Sequence, residues 1–395
     1  MKRKSLQKES VGTVAPGMPL RLRYFRERRE QMIATIRQIV EMESPSDHKP
    51  SVDRLGEFLA ARFEERGGKT KLHRTREFGD HLQVDFAGQS KVKPVLLLGH
   101  HDTVWSLGTL EKMPCKVNDV LMSGPGVLDM KTGIALMLHT IEALRDWYGD
   151  LPRPVTVLLV SDEEVGSDSS RHITEALAKK SAGVLVLEPA AGLKGALKTA
   201  RKGVGEYSLK IHGKASHSGL DFEKGESAVL ELAHQLTEIA KFTDLQRGLT
   251  VNPGVIRGGT RTNVIAAEAS ADIDARIARL EDAGFIEKKM RSLKPFNPKC
   301  KLEITGGINR PPMERIAGVA ALFEKAVSLG RAMDWKVQEA SVGGGSDGNF
   351  TTALGIPTLD GLGAVGEGAH ALNESIFLAE LPRRAALISA LIEGA

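Results

Sequence analysis

Apolar residues arrive along this chain in two rhythms. In the first 200 or so positions they come in short unbroken runs, Pro94–Gly99, Val155–Val160 and Val184–Leu187, separated by stretches of helix-forming composition. A strand that is apolar at every position is covered on both faces, so these runs predict an α/β fold with a mostly parallel sheet between helices. The helices are expected at Arg21–Met42, where Arg26, Arg28, Arg29 and Glu30 oppose Met32, Ile33, Ile36, Ile39 and Val40, and then at about Lys131–Trp147 and His172–Lys180.

From about Gly203 the rhythm becomes alternation. Tyr207, Leu209 and Ile211 interleave with Ser208, Lys210 and His212, which is the period of a half-buried strand. The predicted order is then strand Gly205–His212, helix Glu226–Phe242, strands Leu249–Ile256 and Asn263–Arg276, helix Leu280–Leu293 and strand Cys300–Thr305. That order predicts a ferredoxin-like α+β unit. Ile308–Met313, with Arg310, Pro311 and Pro312, reads as a linker, after which helix, strand and Gly-rich loops resume. The expected organisation is a large domain in two parts, residues 1–202 and 310–395, with a smaller one, 203–309, inserted; a chain of 395 residues is long enough for two cores.

Composition narrows the chemistry. With 54 basic and 50 acidic residues the net charge is only +4, and no basic run interleaved with aromatics suggests a nucleic-acid partner. The apolar runs fall far short of the roughly 20 residues that span a bilayer. Met1, Lys2, Arg3 and Lys4 are followed by polar sequence to Ser10, without the apolar middle of a secretory signal, so a cytoplasmic protein is expected. Cys115 and Cys300 are the only cysteines, which suits a reducing compartment and leaves His and carboxylates to hold any metal.

Such groups gather at the ends of the apolar runs. His100-His101-Asp102 follows the first, Asp162-Glu163-Glu164 the second and Glu188 the third. Asp129 begins a helix after a Gly/Pro turn, and His370 lies in a glycine-rich loop after the short run Ile356–Leu359. Each alone has an ordinary explanation as a cap or a packed residue. Together they bring His and carboxylates to one sheet edge, where open α/β sheets carry their sites, and this donor set suits a pair of zinc ions.

The motifs Gly99-His100-His101-Asp102-Thr103-Val104, Gly124-Pro125-Gly126-Val127-Leu128-Asp129-Met130-Lys131, Asp162-Glu163-Glu164-Val165-Gly166-Ser167 and Gly366-Glu367-Gly368-Ala369-His370 together resemble the metal-dependent peptidase and deacylase family. That family includes glutamate carboxypeptidase, acetylornithine deacetylase, succinyl-diaminopimelate desuccinylase and aminoacylase; the glutamate-carboxypeptidase branch looks closest. The resemblance runs from about residue 30 onward. It implies that His100 and Glu188 hold one divalent ion, that Glu164 and His370 hold the other, and that Asp129 bridges them. Zinc is favoured, with cobalt or manganese as substitutes. It further implies that Asp102 orients His100 and that Glu163, turned away from the metals, is the general base for cleavage of an amide or peptide bond beside a free carboxylate.

In the inserted unit, Gly213–Gly219 resembles the family's lid motif, which implies that His217 steadies a developing oxyanion in the partner subunit of a homodimer. Asn263 and Arg276 resemble substrate-contacting positions, and the Gly343–Phe350 loop, with Gly344, resembles a segment that offers backbone N–H groups to the substrate carboxylate. Arg310 sits where related carboxypeptidases offer a cation, although a hinge residue with an exposed side chain is an equal reading. Two alternatives stand beside this one. Ser346, Asp360 and His370 occur in the chain order of a serine hydrolase, and an inactive relative could merely bind small acids or a partner.

Overall fold

The computed structural model describes residues 15–394, so the polar opening Met1–Ser10 lies outside the described residues. Six strands form the main sheet, in the order Lys69–His73, His81–Phe86, Val155–Val160, Val95–His100, Gly183–Val186 and Thr358–Leu359. The last four run parallel, and the first two add an antiparallel edge. The three apolar runs are therefore the centre of this sheet.

Their unbroken hydrophobicity has a direct packing cause. Val95, Leu97, Val157 and Leu159 point into one apolar cluster, shared with helices Arg29–Val40, Thr132–Tyr148 and Leu381–Gly394; Leu96, Leu98, Leu158 and Val160 point into another, shared with helix Arg171–Lys180. Burial on both faces keeps both parities apolar except at Thr156, whose hydroxyl donates to Asp85 Oδ1 at 2.8 Å. Leu97 is fully buried in the larger cluster, so Leu97→Ala is expected to cost about 2–5 kcal/mol, readable by denaturant titration.

Residues 203–310 build a second sheet of four antiparallel strands, in the order Thr250–Gly258, Glu268–Ile277, Gly203–His212 and Lys301–Arg310. Helices Ala228–Ala240 and Glu281–Arg291 cover one face around a separate core containing Tyr207, Leu209, Ile211, Ile273 and Ile286. This is the ferredoxin-like arrangement.

Three expected elements differ. The helix over Arg21–Met42 is two, Met18–Glu27 and Arg29–Val40, broken at Arg28, and the break lets the first pack on Leu381–Gly394 while the second packs on Thr132–Tyr148. The strand expected from Asn263 begins at Glu268, because the preceding residues turn. Ile308–Met313 is not simply a linker: the strand continues through Arg310, whose side chain is held by buried partners described below. Among the described residues, no helix is long and apolar enough to cross a membrane.

Candidate metal centre

Three neighbouring parallel strands deliver the site. Val95–His100 ends on His100, Val155–Val160 leads into the short turn Glu163–Val165, and Gly183–Val186 stops two residues before Glu188. Asp129 lies in the turn Val127–Lys131 that opens helix Thr132–Tyr148. His370 reaches the cluster from a loop, at φ 61°, a left-handed conformation uncommon outside glycine.

The five expected ligands converge. His100 Nε2 lies 3.2 Å from Asp129 Oδ1 and 3.3 Å from Glu188 Oε1. His370 Nε2 lies 3.5 Å from Asp129 Oδ2 and 3.4 Å from Glu164 Oε2. Asp129 thus turns one oxygen to each histidine. His100 Nδ1–H donates to the Asp102 carbonyl at 3.0 Å, which leaves Nε2 with its lone pair facing the cluster. Glu164 Oε1 is buried without a hydrogen-bond partner among the described residues. An unsatisfied carboxylate oxygen among four carboxylates and two imidazoles fits divalent cations, which accept mixed nitrogen and oxygen donors.

One expectation needs correction. Asp102 meets His100 Nδ1 through its backbone carbonyl at 3.0 Å and its carboxylate Oδ1 at 3.4 Å, while Oδ2 accepts Ser46 Oγ at 2.7 Å and the Glu164 N–H at 3.3 Å. Glu163, however, does not turn away when Glu164 turns in. Its carboxylate joins His100 and Glu188 in one group of donor atoms within 4.8 Å of one another, because the tight turn there does not impose the alternation of a strand. Burial pushes Glu163 well above the usual carboxylate range, against the opposing pull of Arg310. His101 is fully buried outside the cluster, and burial lowers it to about 4.

Arg310 is buried, contrary to the exposed-hinge reading. Its Nη1 donates to Asp347 Oδ1 at 2.5 Å, and Nη2 meets the Glu163 carbonyl at 2.9 Å, Ser167 Oγ at 2.8 Å and Glu163 Oε1 at 3.1 Å. Arg276, paired with Asp274, and Gly344 line the same cleft of about 750 Å³ as Asp129, Glu164, Glu188 and His370. His217 and Asn263 do not. Both are exposed and lie together, Ser218 N–H donating to the Asn263 carbonyl and His217 bridging to Val264. The reason is strand length: Arg310 pairs with Val204 and Lys301 with His212, so nine residue steps, roughly 30 Å, separate the cleft from the end beyond which His217 lies.

Ser346 is buried, donates to Asp360 Oδ2 at 2.7 Å, and has no contact with His370, whose ring faces Asp129 and Glu164. The serine constellation does not assemble.

Several contributors escaped sequence reading. Arg201 grips Asp360 through Nε at 2.7 Å and Nη2 at 3.1 Å and reaches Glu188 Oε2 at 3.4 Å. Lys198 lines the cleft beside it. The signal was Lys198-Thr199-Ala200-Arg201-Lys202, basic residues on the strand soon after Glu188. Buried Glu374 accepts N–H groups from Gly126 (2.9 Å), Leu128 (2.8 Å) and Asp129 (3.1 Å) and from the Trp105 indole (2.8 Å), which fixes the Asp129 turn. Glu374→Ala strands these donors; metal affinity should fall about 10- to 100-fold, measured by titrating metal-free protein with zinc.

This fold and cluster define a metal-dependent hydrolase. The chain belongs to peptidase family M20/M25/M40, whose model matches residues 96–394. It is similar to carboxypeptidase G2 of Pseudomonas sp. (strain RS-16), 29% identical over 371 residues, covering 91% of this chain and 88% of that protein. The fold is shared with aminopeptidase PepT of Bacillus cereus ATCC 10987 (TM-score 0.76, 20% identity, 92% of this chain and 98% of that one). It is also shared with Bacillus subtilis YXEP, described as a dinuclear metal-binding peptidase of the M20 family (TM-score 0.66, 13% identity, 93% and 98%).

Proposed function

We propose that this hydrolase cleaves an amide or peptide bond next to a free carboxylate, as a C-terminal glutamate-type carboxypeptidase or an N-acyl amino acid deacylase, with two divalent ions, zinc favoured. The observation that carries the proposal is Asp129, whose two oxygens face His100 and His370 separately. His100 and Glu188 would hold one ion, His370 and Glu164 the other, and Asp129 would be shared. Bound there, such a pair polarises a carbonyl oxygen and makes water acidic enough to yield a proton near neutral pH.

The chain's own groups do the rest. Glu163 takes the proton as the water oxygen bonds to the carbonyl carbon, then delivers it to the nitrogen as the C–N bond breaks. Arg310, 3.1 Å from Glu163 Oε1, holds that carboxylate over the donor cluster rather than serving the substrate directly. Arg276 and the backbone N–H groups around Gly344 would receive the substrate carboxylate.

We assign His217 and Asn263 to the cleft of a second copy, since both lie away from their own. Exposed Leu220 and Phe222, at 80% and 66%, are apolar surface near that end which pairing would cover. On this reading residues 203–309 act as lid and pairing unit. Sedimentation is expected to give a dimer. Two cysteines with no disulfide support a cytoplasmic setting.

The test is elemental analysis of purified protein together with hydrolysis of N-acyl amino acids and peptides ending in glutamate, before and after chelation. About two ions per chain, with activity lost to chelator and restored by zinc, is the expected result. A metal-free chain that still hydrolyses would overturn it. Ser346→Ala should keep turnover within a few-fold, whereas a serine nucleophile would lose nearly all of it.

A further inference from the structure

We propose that Arg201 is a positioning residue that ties Glu188 to the loop carrying Gly344 and Gly345, so that an ion held by Glu188 and a substrate carboxylate held by that loop bind cooperatively. This rests on the hydrolase reading above, whose two binding sites it couples. Arg201 ends strand Leu197–Arg201 and is buried. A guanidinium carries five N–H donors in a rigid fork, and here every one is engaged. Nε and Nη2 take the two oxygens of buried Asp360 at 2.7 and 3.1 Å, and Nη2 also meets Glu188 Oε2 at 3.4 Å. Nη1 donates to the carbonyls of Gly345 at 2.9 Å and Gly344 at 3.1 Å. No donor is left for substrate, so any effect of Arg201 on the reaction passes through Glu188 or the loop.

Glu188 stands between the two sites. Its Oε1 lies 3.3 Å from His100 Nε2, on the side of the donor cluster, while Oε2 faces Arg201. An ion shared by His100 and Glu188 would fix that carboxylate and with it the Nη2 end of the fork. Asp360, which also accepts Ser346 Oγ at 2.7 Å, fixes the Nε edge. The loop has little packing of its own: a Cβ at Gly343 or Gly344 would meet nothing within 4 Å. The peptide between Gly344 and Gly345 is trans, so turning its carbonyl to Arg201 turns the Gly345 N–H the other way, where no acceptor meets it among the described residues. That N–H is aimed at an anion only while the carbonyl is held. Each ligand therefore favours the arrangement the other needs, and such a coupling acts in both directions. Lysine, with three donors on one nitrogen, cannot span Asp360, Glu188 and both carbonyls.

Hydrogen exchange of the full chain, read by mass spectrometry over residues 341–350 with and without zinc, tests the link without turnover. Ser346 N–H, bonded to Asn349 Oδ1, and Gly348 N–H, bonded to Ser346 Oγ, report the order of the loop. Zinc should slow their exchange on the order of tenfold in wild type and less than about twofold in Arg201→Met, with metal content at excess zinc unchanged. At saturating zinc the Met variant should raise KM about tenfold for the best-cleaved substrate of the panel above, with kcat within a few-fold, because the carboxylate site is loosened and Glu163 is untouched. Arg201→Lys should recover only part of that loss. Should Arg201→Met not fold with Asp360 left buried and unpaired, Arg201→Met combined with Asp360→Asn replaces it. Zinc protection in the Met variant equal to wild type, a wild-type loop indifferent to zinc, or a Met variant with wild-type KM overturns the link. A protein that cleaves no member of the panel overturns the hydrolase reading, whereas the exchange result needs no turnover and judges the link by itself.

Discussion

Replacing Glu163 with Gln is expected to lower kcat by roughly 10²- to 10⁴-fold while KM and metal content stay near wild type. The amide keeps the shape of the side chain and an oxygen for Arg310, which stands 3.1 Å from Oε1, so the surrounding network of Asp347 and Ser167 is preserved. It cannot accept the water's proton at any working pH. Because Glu163 shares a donor group with His100 and Glu188, the same variant asks whether its oxygen is a ligand. Elemental analysis decides: two ions with no turnover assigns proton transfer, whereas loss of one ion together with activity makes Glu163 a ligand and removes it as the base.

Chelation should have the second large effect, on stability as well as activity. Asp129, Glu163, Glu164 and Glu188 crowd two imidazoles, and without cations the histidines take protons instead: Asp129 and Glu164 hold His370 up to about 10, and contacts with Asp102, Asp129 and Glu188 outweigh burial and raise His100. Ion and proton then compete for the same nitrogen lone pairs, so uptake of metal releases protons and apparent affinity rises with pH. An ion present at about a thousandfold over its Kd stabilises the folded state by about 4 kcal/mol. Calorimetry should therefore show Tm falling by several degrees on chelation and recovering with zinc. A melting curve indifferent to chelator would mean that no ion is held by the folded chain.

The sequence made the sheet legible because burial on both faces keeps Val95–His100 and Val155–Val160 apolar before their ends but for Thr156, and the polar groups that follow each run gather at one sheet edge. The candidate ligands His100, Glu164 and Glu188 stand out for the same reason. Contacts made across long separations were not. Glu374 acts through backbone N–H groups some 245 positions away, and nothing in its neighbourhood in the sequence announces them. His217 and Asn263 look like site residues by motif, yet strand length carries them to the far end of the small sheet. Arg310 was missed as a buried residue because two prolines after it resemble a linker, whereas its strand simply runs on to that point.

The strand ending at Arg310 has a mechanical meaning. The tip of the small sheet is roughly 30 Å from a guanidinium clamped between Asp347 and Glu163. If the sheet swings about that clamp, the tip sweeps a wide arc while the clamped end hardly moves. The clamped end is held by Asp347 and by Glu163, the proposed general base, so a shift of the distant arm would be referred to the group proposed to carry the proton.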